Sequence, residues 1–166
     1  MADTPELTAV EAVGLGIRSE EEASRFYGQI ARRIKNPLVR GRYEDLSREE
    51  VRHRSLLLEL YKRMTGEEYA PPTIPGEPEV AEVASPPGET EDLESLLDLA
   101  IQREEQAAVF YDRAAGQARD QSGRQALGYL AEMERHHAAL LKTELETYRR
   151  DQTWYSDFPD MPMMGP

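Results

Sequence analysis

The 166-residue sequence contains no cysteine. Without thiols the chain can form neither disulfides nor thiolate-bound zinc, iron–sulfur or rubredoxin-type iron centres. Any metal must therefore be held by carboxylates and the three histidines. Positive charge is also scarce, since 20 Lys and Arg against 32 Asp and Glu give a net charge of -12. We therefore expect neither nucleic acid nor an anionic membrane surface as a partner.

Long apolar runs are also missing, and none approaches the ~20 residues of a membrane-spanning helix. The N-terminus has no basic patch followed by an apolar stretch, so nothing there is typical of an export signal. We expect a cytoplasmic protein. The 39% apolar content is enough for the core of one domain of ordinary size.

Helical periodicity covers two stretches, residues 6–65 and 91–150, and strand signals are nearly absent elsewhere. Between them, residues 66–90 contain six prolines, which predicts a long extended crossover. Each helical stretch breaks once near its middle, at Lys35-Asn36-Pro37 and at Asp120-Gln121-Ser122-Gly123. The predicted helices are therefore 6–35, 37–65, 91–119 and 122–150.

The domain organisation follows from these boundaries. We predict one helical domain over residues 1–150, followed by a C-terminal tail over 151–166. The tail contains the single Trp, and we expect its aromatic side chains to dock on the outside of the bundle or on a neighbouring subunit.

The two helical stretches are related to each other by an offset of 84 residues. Fourteen positions between 15 and 61 then carry identical residues without a gap, where unrelated segments would match at about 3–4. The sequence therefore predicts an all-α bundle of four helices, made of a duplicated antiparallel hairpin. The shared polar residues include Glu20, Glu50 and His53 in the first half, and Glu104, Glu134 and His137 in the second.

These six residues are expected at one level inside the bundle. In each hairpin the two glutamates are equidistant from the turn, and each histidine follows its glutamate by three residues on the same helix face. All six interrupt apolar stripes at helical spacing. Four unpaired carboxylates would be costly in such an interior, and two divalent cations would balance their charge. The sequence therefore predicts a di-metal site.

A Glu from each of two helices and a Glu-x-x-His from each of the others form the ligand pattern of ferritin-like di-iron bundles. Over about residues 7–150 the sequence resembles the rubrerythrin branch of that family, through segments 20–27, 50–53, 104–111 and 134–137. The resemblance implies two iron ions, although manganese or zinc would also suit these ligands. It implies that Glu50 and Glu134 bridge the ions, and that the terminal ligands are Glu20, His53, Glu104 and His137.

Other repeated residues are assigned by the same comparison of the two halves. The resemblance implies that Tyr27 and Tyr111 lie beside the site and donate hydrogen bonds to ligand carboxylates. Glu21 and Glu105 also repeat, but we expect both at the surface, as we do His136.

The sequence departs from rubrerythrins at two points. Members of that family carry a four-cysteine rubredoxin domain that feeds electrons to the di-iron site, so this cysteine-free chain would need an external electron donor protein. They also place an additional Glu ligand three residues after the helix 3 glutamate, where this sequence has Ala107.

The resemblance implies a di-iron oxidoreductase that reduces peroxide or oxygen, with a role in oxidative stress. One alternative is a ferroxidase that handles ferrous iron. An alternative of another class is a metal-binding bundle that acts as an interaction module.

We also expect a homodimer. The 25-residue crossover can reach ~75 Å, whereas a helix of about 28 residues is only ~42 Å long. Hairpins could therefore be exchanged between chains, although closing one chain on itself costs less entropy and favours the unswapped form.

Overall fold

The computed structural model describes residues 8–71 and 92–156, and it contains no strand within these ranges. The described part of the chain forms four long helices and one short helix, and the predicted all-α bundle of two hairpins is confirmed. The helices are α1 Ala9–Arg33, α2 Pro37–Thr65, α3 Leu93–Gln117, α4 Gln121–Arg150 and α5 Thr153–Ser156.

Each long helix begins after a residue whose side chain caps it. Thr8 and Glu11 form a capping box at the start of α1, while Asn36 caps α2 and is followed by Pro37 at the first helical position. Asp92 and Asp120 cap α3 and α4. These caps explain why the helices begin within three residues of their predicted starts.

The helix directions follow from contacts across the bundle. Tyr27 contacts Glu104 while Tyr111 contacts Glu20, so α1 and α3 run antiparallel. The hairpin partners α1 and α2 are antiparallel as well, and α2 and α3 therefore point the same way. The end of α2 and the start of α3 consequently lie at opposite ends of the bundle. Most of the predicted crossover, residues 72–90, lies outside the described residues.

The interior consists of two apolar clusters, one at each end of the bundle. The first surrounds the α1–α2 turn and the start of α3, and it includes Ile30, Tyr43 and Leu97. The second surrounds the end of α2 and the α3–α4 turn, and it includes Leu60 and Leu127. The candidate site lies between these clusters. No helix in the described part of the chain is both long and apolar enough to cross a membrane.

The beginning of the tail folds back onto the first cluster. Tyr155 is buried there, and its hydroxyl lies 2.9 Å from the carbonyl oxygen of Glu144 and 2.6 Å from its Oε2. The Asn36 side chain donates a hydrogen bond of 2.8 Å to the carbonyl oxygen of Trp154. The tail therefore joins the α1–α2 turn to α4. Phe158, the other tail aromatic, lies outside the described residues.

Candidate metal centre

The six residues singled out by the repeat all lie in the interior, between the two apolar clusters. Each of the four long helices contributes to the group, and no member is more than 4% exposed. One chain supplies the whole set, which comprises Glu20, Glu50, His53, Glu104, Glu134 and His137.

Both imidazoles point their Nδ1 atoms into this group. His53 Nδ1 lies 3.1 Å from Glu50 Oε2, 3.1 Å from Glu134 Oε1 and 3.8 Å from Glu20 Oε2. His137 Nδ1 lies 3.0 Å from Glu50 Oε1, 3.3 Å from Glu134 Oε2 and 3.6 Å from Glu104 Oε2. The two rings are stacked with their centroids 5.4 Å apart. The two halves thus form nearly equivalent sets of donors.

Glu50 and Glu134 differ from the other two glutamates because each reaches both imidazoles. Glu50 presents Oε2 to His53 and Oε1 to His137, while Glu134 presents Oε1 to His53 and Oε2 to His137. Glu20 and Glu104 each lie near only one imidazole. A carboxylate with one oxygen on each side has the arrangement needed to bridge two metal ions.

The donor set fits a pair of metal ions. One ligand atom from each of Glu50, His53, Glu134 and His137 can be chosen so that all four lie within 4.8 Å of one another. Glu50 Oε1, Glu134 Oε1 and His137 Nδ1 are buried and make no hydrogen bond with any described residue, although they lie close together. Buried polar atoms normally have partners, and shared metal ions would provide them here.

The pKa values of the buried groups in the metal-free site also favour a pair of metal ions. Burial raises the pKa of Glu20 to about 9 and that of Glu104 to about 8, although the nearby imidazoles oppose the shift. Burial disfavours charge on Glu50 and Glu134 too, but the close approach of His137 and His53 outweighs it and lowers both pKa values. The pKa of His53 is raised to about 12, because hydrogen bonds to its carboxylates overcome its burial.

These shifts describe a neutral arrangement in the absence of metal. Two protonated glutamates then accompany two carboxylates and two imidazolium groups. Divalent ions would displace the protons from the imidazoles and the carboxyl groups.

Two tyrosines each form a hydrogen bond to a glutamate of the other hairpin, and these two glutamates, Glu20 and Glu104, are called the outer glutamates. The Tyr27 hydroxyl donates to Glu104, and the Tyr111 hydroxyl donates to Glu20. Burial raises the pKa of both phenols well above its usual value, and the neighbouring carboxylates add to the effect. Both side chains therefore remain hydrogen-bond donors at neutral pH. Gly16 makes room for one of them, since a Cβ at that position would lie 3.0 Å from the Tyr111 hydroxyl.

The residues expected outside the site lie outside it. The Glu21 side chain is 41% exposed and pairs with Arg25, while Glu105 is 51% exposed and pairs with Lys142. His136 is exposed. Ala107, at the position where rubrerythrins carry an additional glutamate, is partly buried against the second apolar cluster.

Two acidic residues near the interior were missed by the sequence reasoning. Glu49 lies 2.8 Å from His137 Nε2, and Glu144 is buried between Arg42 and Tyr155. The offset of 84 pairs them with the apolar residues Met133 and Leu60. This pairing is not a usable signal, because the exposed Asp45 lies opposite Tyr129, which is exposed as well.

The fold and the site together define a ferritin-like helical bundle whose Glu/His cluster fits two metal ions. The model of the rubrerythrin family matches residues 11–145, and the chain belongs to this family. A solved structure of a hypothetical protein from Pyrococcus furiosus is similar, with a TM-score of 0.74 and 28% sequence identity. That similarity covers 94% of this chain and 97% of the other. None of the curated proteins matches the chain significantly.

Proposed function

We propose that this protein is a di-iron oxidoreductase that reduces peroxide, or oxygen, with electrons from an external donor protein. The main observation behind the proposal is that Glu50 and Glu134 each place one carboxylate oxygen near His53 and the other near His137. Membership of the rubrerythrin family supports iron as the metal. Four carboxylates and two neutral imidazoles carry a charge of -4, which two divalent ions would balance.

Each residue of the site has a role in this proposal. Glu50 and Glu134 would bridge the ions, with Glu20 and His53 completing one shell and Glu104 and His137 the other. The bound ferrous pair would supply two electrons to hydrogen peroxide. With two protons, the O–O bond would break and two water molecules would leave. The donor protein would then return two electrons to the site. Tyr27 and Tyr111 keep the outer glutamates in place. The apolar clusters above and below exclude bulk water.

A ferroxidase is the second candidate, and Ala107 is the observation that favours it. In rubrerythrins, as the resemblance implies, an additional glutamate at this position exchanges with a histidine as an iron ligand when peroxide reacts. Ala107 has only a methyl group, so this exchange has no counterpart here. Such a protein would oxidise ferrous iron as its substrate and pass the product onward.

Anaerobic loading with ferrous iron followed by stopped-flow mixing with hydrogen peroxide tests the proposal. We expect two iron ions per chain and, with an added one-electron reductant, consumption of many equivalents of peroxide per site. A single stoichiometric oxidation followed by release of iron would instead indicate the ferroxidase. Failure to take up any metal, with unchanged stability, would contradict both and favour an interaction module.

A further inference from the structure

The two histidines differ at their second ring nitrogen. His137 Nε2 lies 2.8 Å from Glu49 Oε2, on the neighbouring helix α2 of the other hairpin. His137 is 1% exposed, whereas the Glu49 side chain is 36% exposed. The carboxylate of Glu49 therefore reaches inward from the edge of the bundle to the side of the imidazole that faces away from Glu50 and Glu134.

His53 has no such neighbour among the residues that the structure describes. Every carboxylate within 4 Å of this ring lies at Nδ1, and within residues 8–71 and 92–156 none lies at Nε2. The repeat explains the difference, since the offset of 84 places the partly buried Met133 where the other half has Glu49. The duplicated halves are thus nearly equivalent in the residues around the two Nδ1 atoms and unequal just outside them.

We propose that Glu49 is a positioning residue that makes the two metal positions unequal. It holds Nε2 of His137, whereas Nε2 of His53 has no carboxylate partner among the described residues. This inference rests on the metal site proposed above. A carboxylate at Nε2 keeps the proton on that nitrogen and leaves the Nδ1 lone pair directed at the metal position. It also fixes the ring orientation and makes Nδ1 a stronger donor. The ion next to His137 is then bound first and more tightly.

Titration of the metal-free protein with Co²⁺, followed by its visible absorption, tests this inequality. The wild-type protein is expected to bind two ions in two resolved steps. Glu49→Ala should weaken the tighter step by about 10–100-fold and leave the weaker step unchanged. Glu49→Gln keeps an oxygen acceptor for the Nε2 proton and should retain most of the affinity. Glu59→Ala removes an exposed carboxylate from the same helix and should change neither step.

A second measurement separates positioning from a general effect on the fold. In the Zn²⁺-loaded protein labelled with ¹⁵N-histidine, the Nε2 proton of His137 should give a slowly exchanging NMR signal that Glu49→Ala abolishes and Glu49→Gln keeps.

The outcomes distinguish the two proposals. Two Co²⁺ ions bound with equal affinity, or a Glu49→Ala protein in which both steps are unchanged or equally weakened, would overturn the role of Glu49 alone. A wild-type protein that does not bind two ions would overturn the metal site and this inference together.

Discussion

Glu50 is a shared residue of the site, because its two oxygens face different imidazoles. We therefore expect Glu50→Ala to lower metal content at both positions, since each ion would lose one of its two bridging carboxylates. Glu21→Ala removes a carboxylate that is 41% exposed and paired with Arg25, so metal content should stay the same. Elemental analysis of metal per chain measures both. Equal losses in the two variants would contradict the assignment of Glu50.

The tyrosines provide a second test at the residue scale. Tyr27→Phe and Tyr111→Phe each remove a hydroxyl that donates to a buried glutamate, so each should lower the free energy of unfolding of the metal-free protein by about 1–3 kcal/mol. The measurement is urea unfolding. Tyr129→Phe is the matched control, because that side chain is 54% exposed and its loss should change stability by less than about 0.5 kcal/mol.

At the scale of elements, α5 is short but its contacts are extensive. Tyr155 packs among buried residues of α1, α2, α3 and α4, and its hydroxyl reaches Glu144. Tyr155→Ala should therefore lower the free energy of unfolding by about 3–5 kcal/mol, as for other large buried aromatics. Tyr155→Phe should cost about 1–3 kcal/mol, because Glu144 then keeps only the ion pair with Arg42.

Denaturant unfolding of these two variants, beside Tyr129→Ala as an exposed control, gives the comparison. Metal content should be unchanged in both, because Tyr155 packs with the apolar cluster at the end of the bundle. A Tyr155→Ala protein as stable as the control would mean that the tail contributes nothing to the fold.

At the scale of the whole molecule, the buried charges make stability depend on pH. Glu20 and Glu104 have pKa values raised to about 9 and about 8 in the folded metal-free protein, against 4.5 as the ordinary value. Their contribution is fully present below about pH 4.5 and is lost as pH rises through 8–9. His53, with a pKa raised to about 12, changes stability in the same direction over this range. The metal-free protein should therefore melt at a lower temperature at pH 9 than at pH 6.

Two comparisons test which groups cause the fall in melting temperature between pH 6 and pH 9. Replacing both Glu20 and Glu104 with Gln leaves groups that cannot ionise, so the fall in melting temperature between pH 6 and pH 9 should become smaller. Saturation with Mn²⁺ should stabilise the protein more at pH 9 than at pH 6, because metal binding releases the same protons. A melting temperature that rises with pH in the metal-free protein would contradict the assigned shifts.

The assembly prediction also concerns the whole molecule. We expect a homodimer in solution, and light scattering at micromolar concentration measures it directly, with a monomer contradicting the prediction. Refolding a mixture of Glu50→Ala and Glu134→Ala chains tests hairpin exchange. Only exchanged chains could rebuild an intact site with Glu50 from one chain and Glu134 from the other. We expect no recovery of metal binding, because one chain already supplies all six residues.

The sequence by itself determined the helices and the six inward-facing residues. Both are local properties, since periodicity fixes which side of a helix faces the core and capping residues such as Asn36 fix where a helix begins. The duplication then identified the polar residues that interrupt the two apolar stripes at the same level. The family resemblance added that Glu50 and Glu134 would bridge the metals.

The tertiary structure alone decided which atoms meet. The reach of Glu50 to both imidazoles, the contact of Glu49 with His137 and the burial of Glu144 all join residues of different helices. Such contacts depend on how far each helix is shifted and rotated against its neighbours, which the packing of the whole bundle sets. Helical periodicity carries no information about these shifts. A sequence whose two halves share all six site residues could therefore predict a symmetric site. That Glu49 contacts His137, where the other half has Met133, emerged only from the assembled bundle.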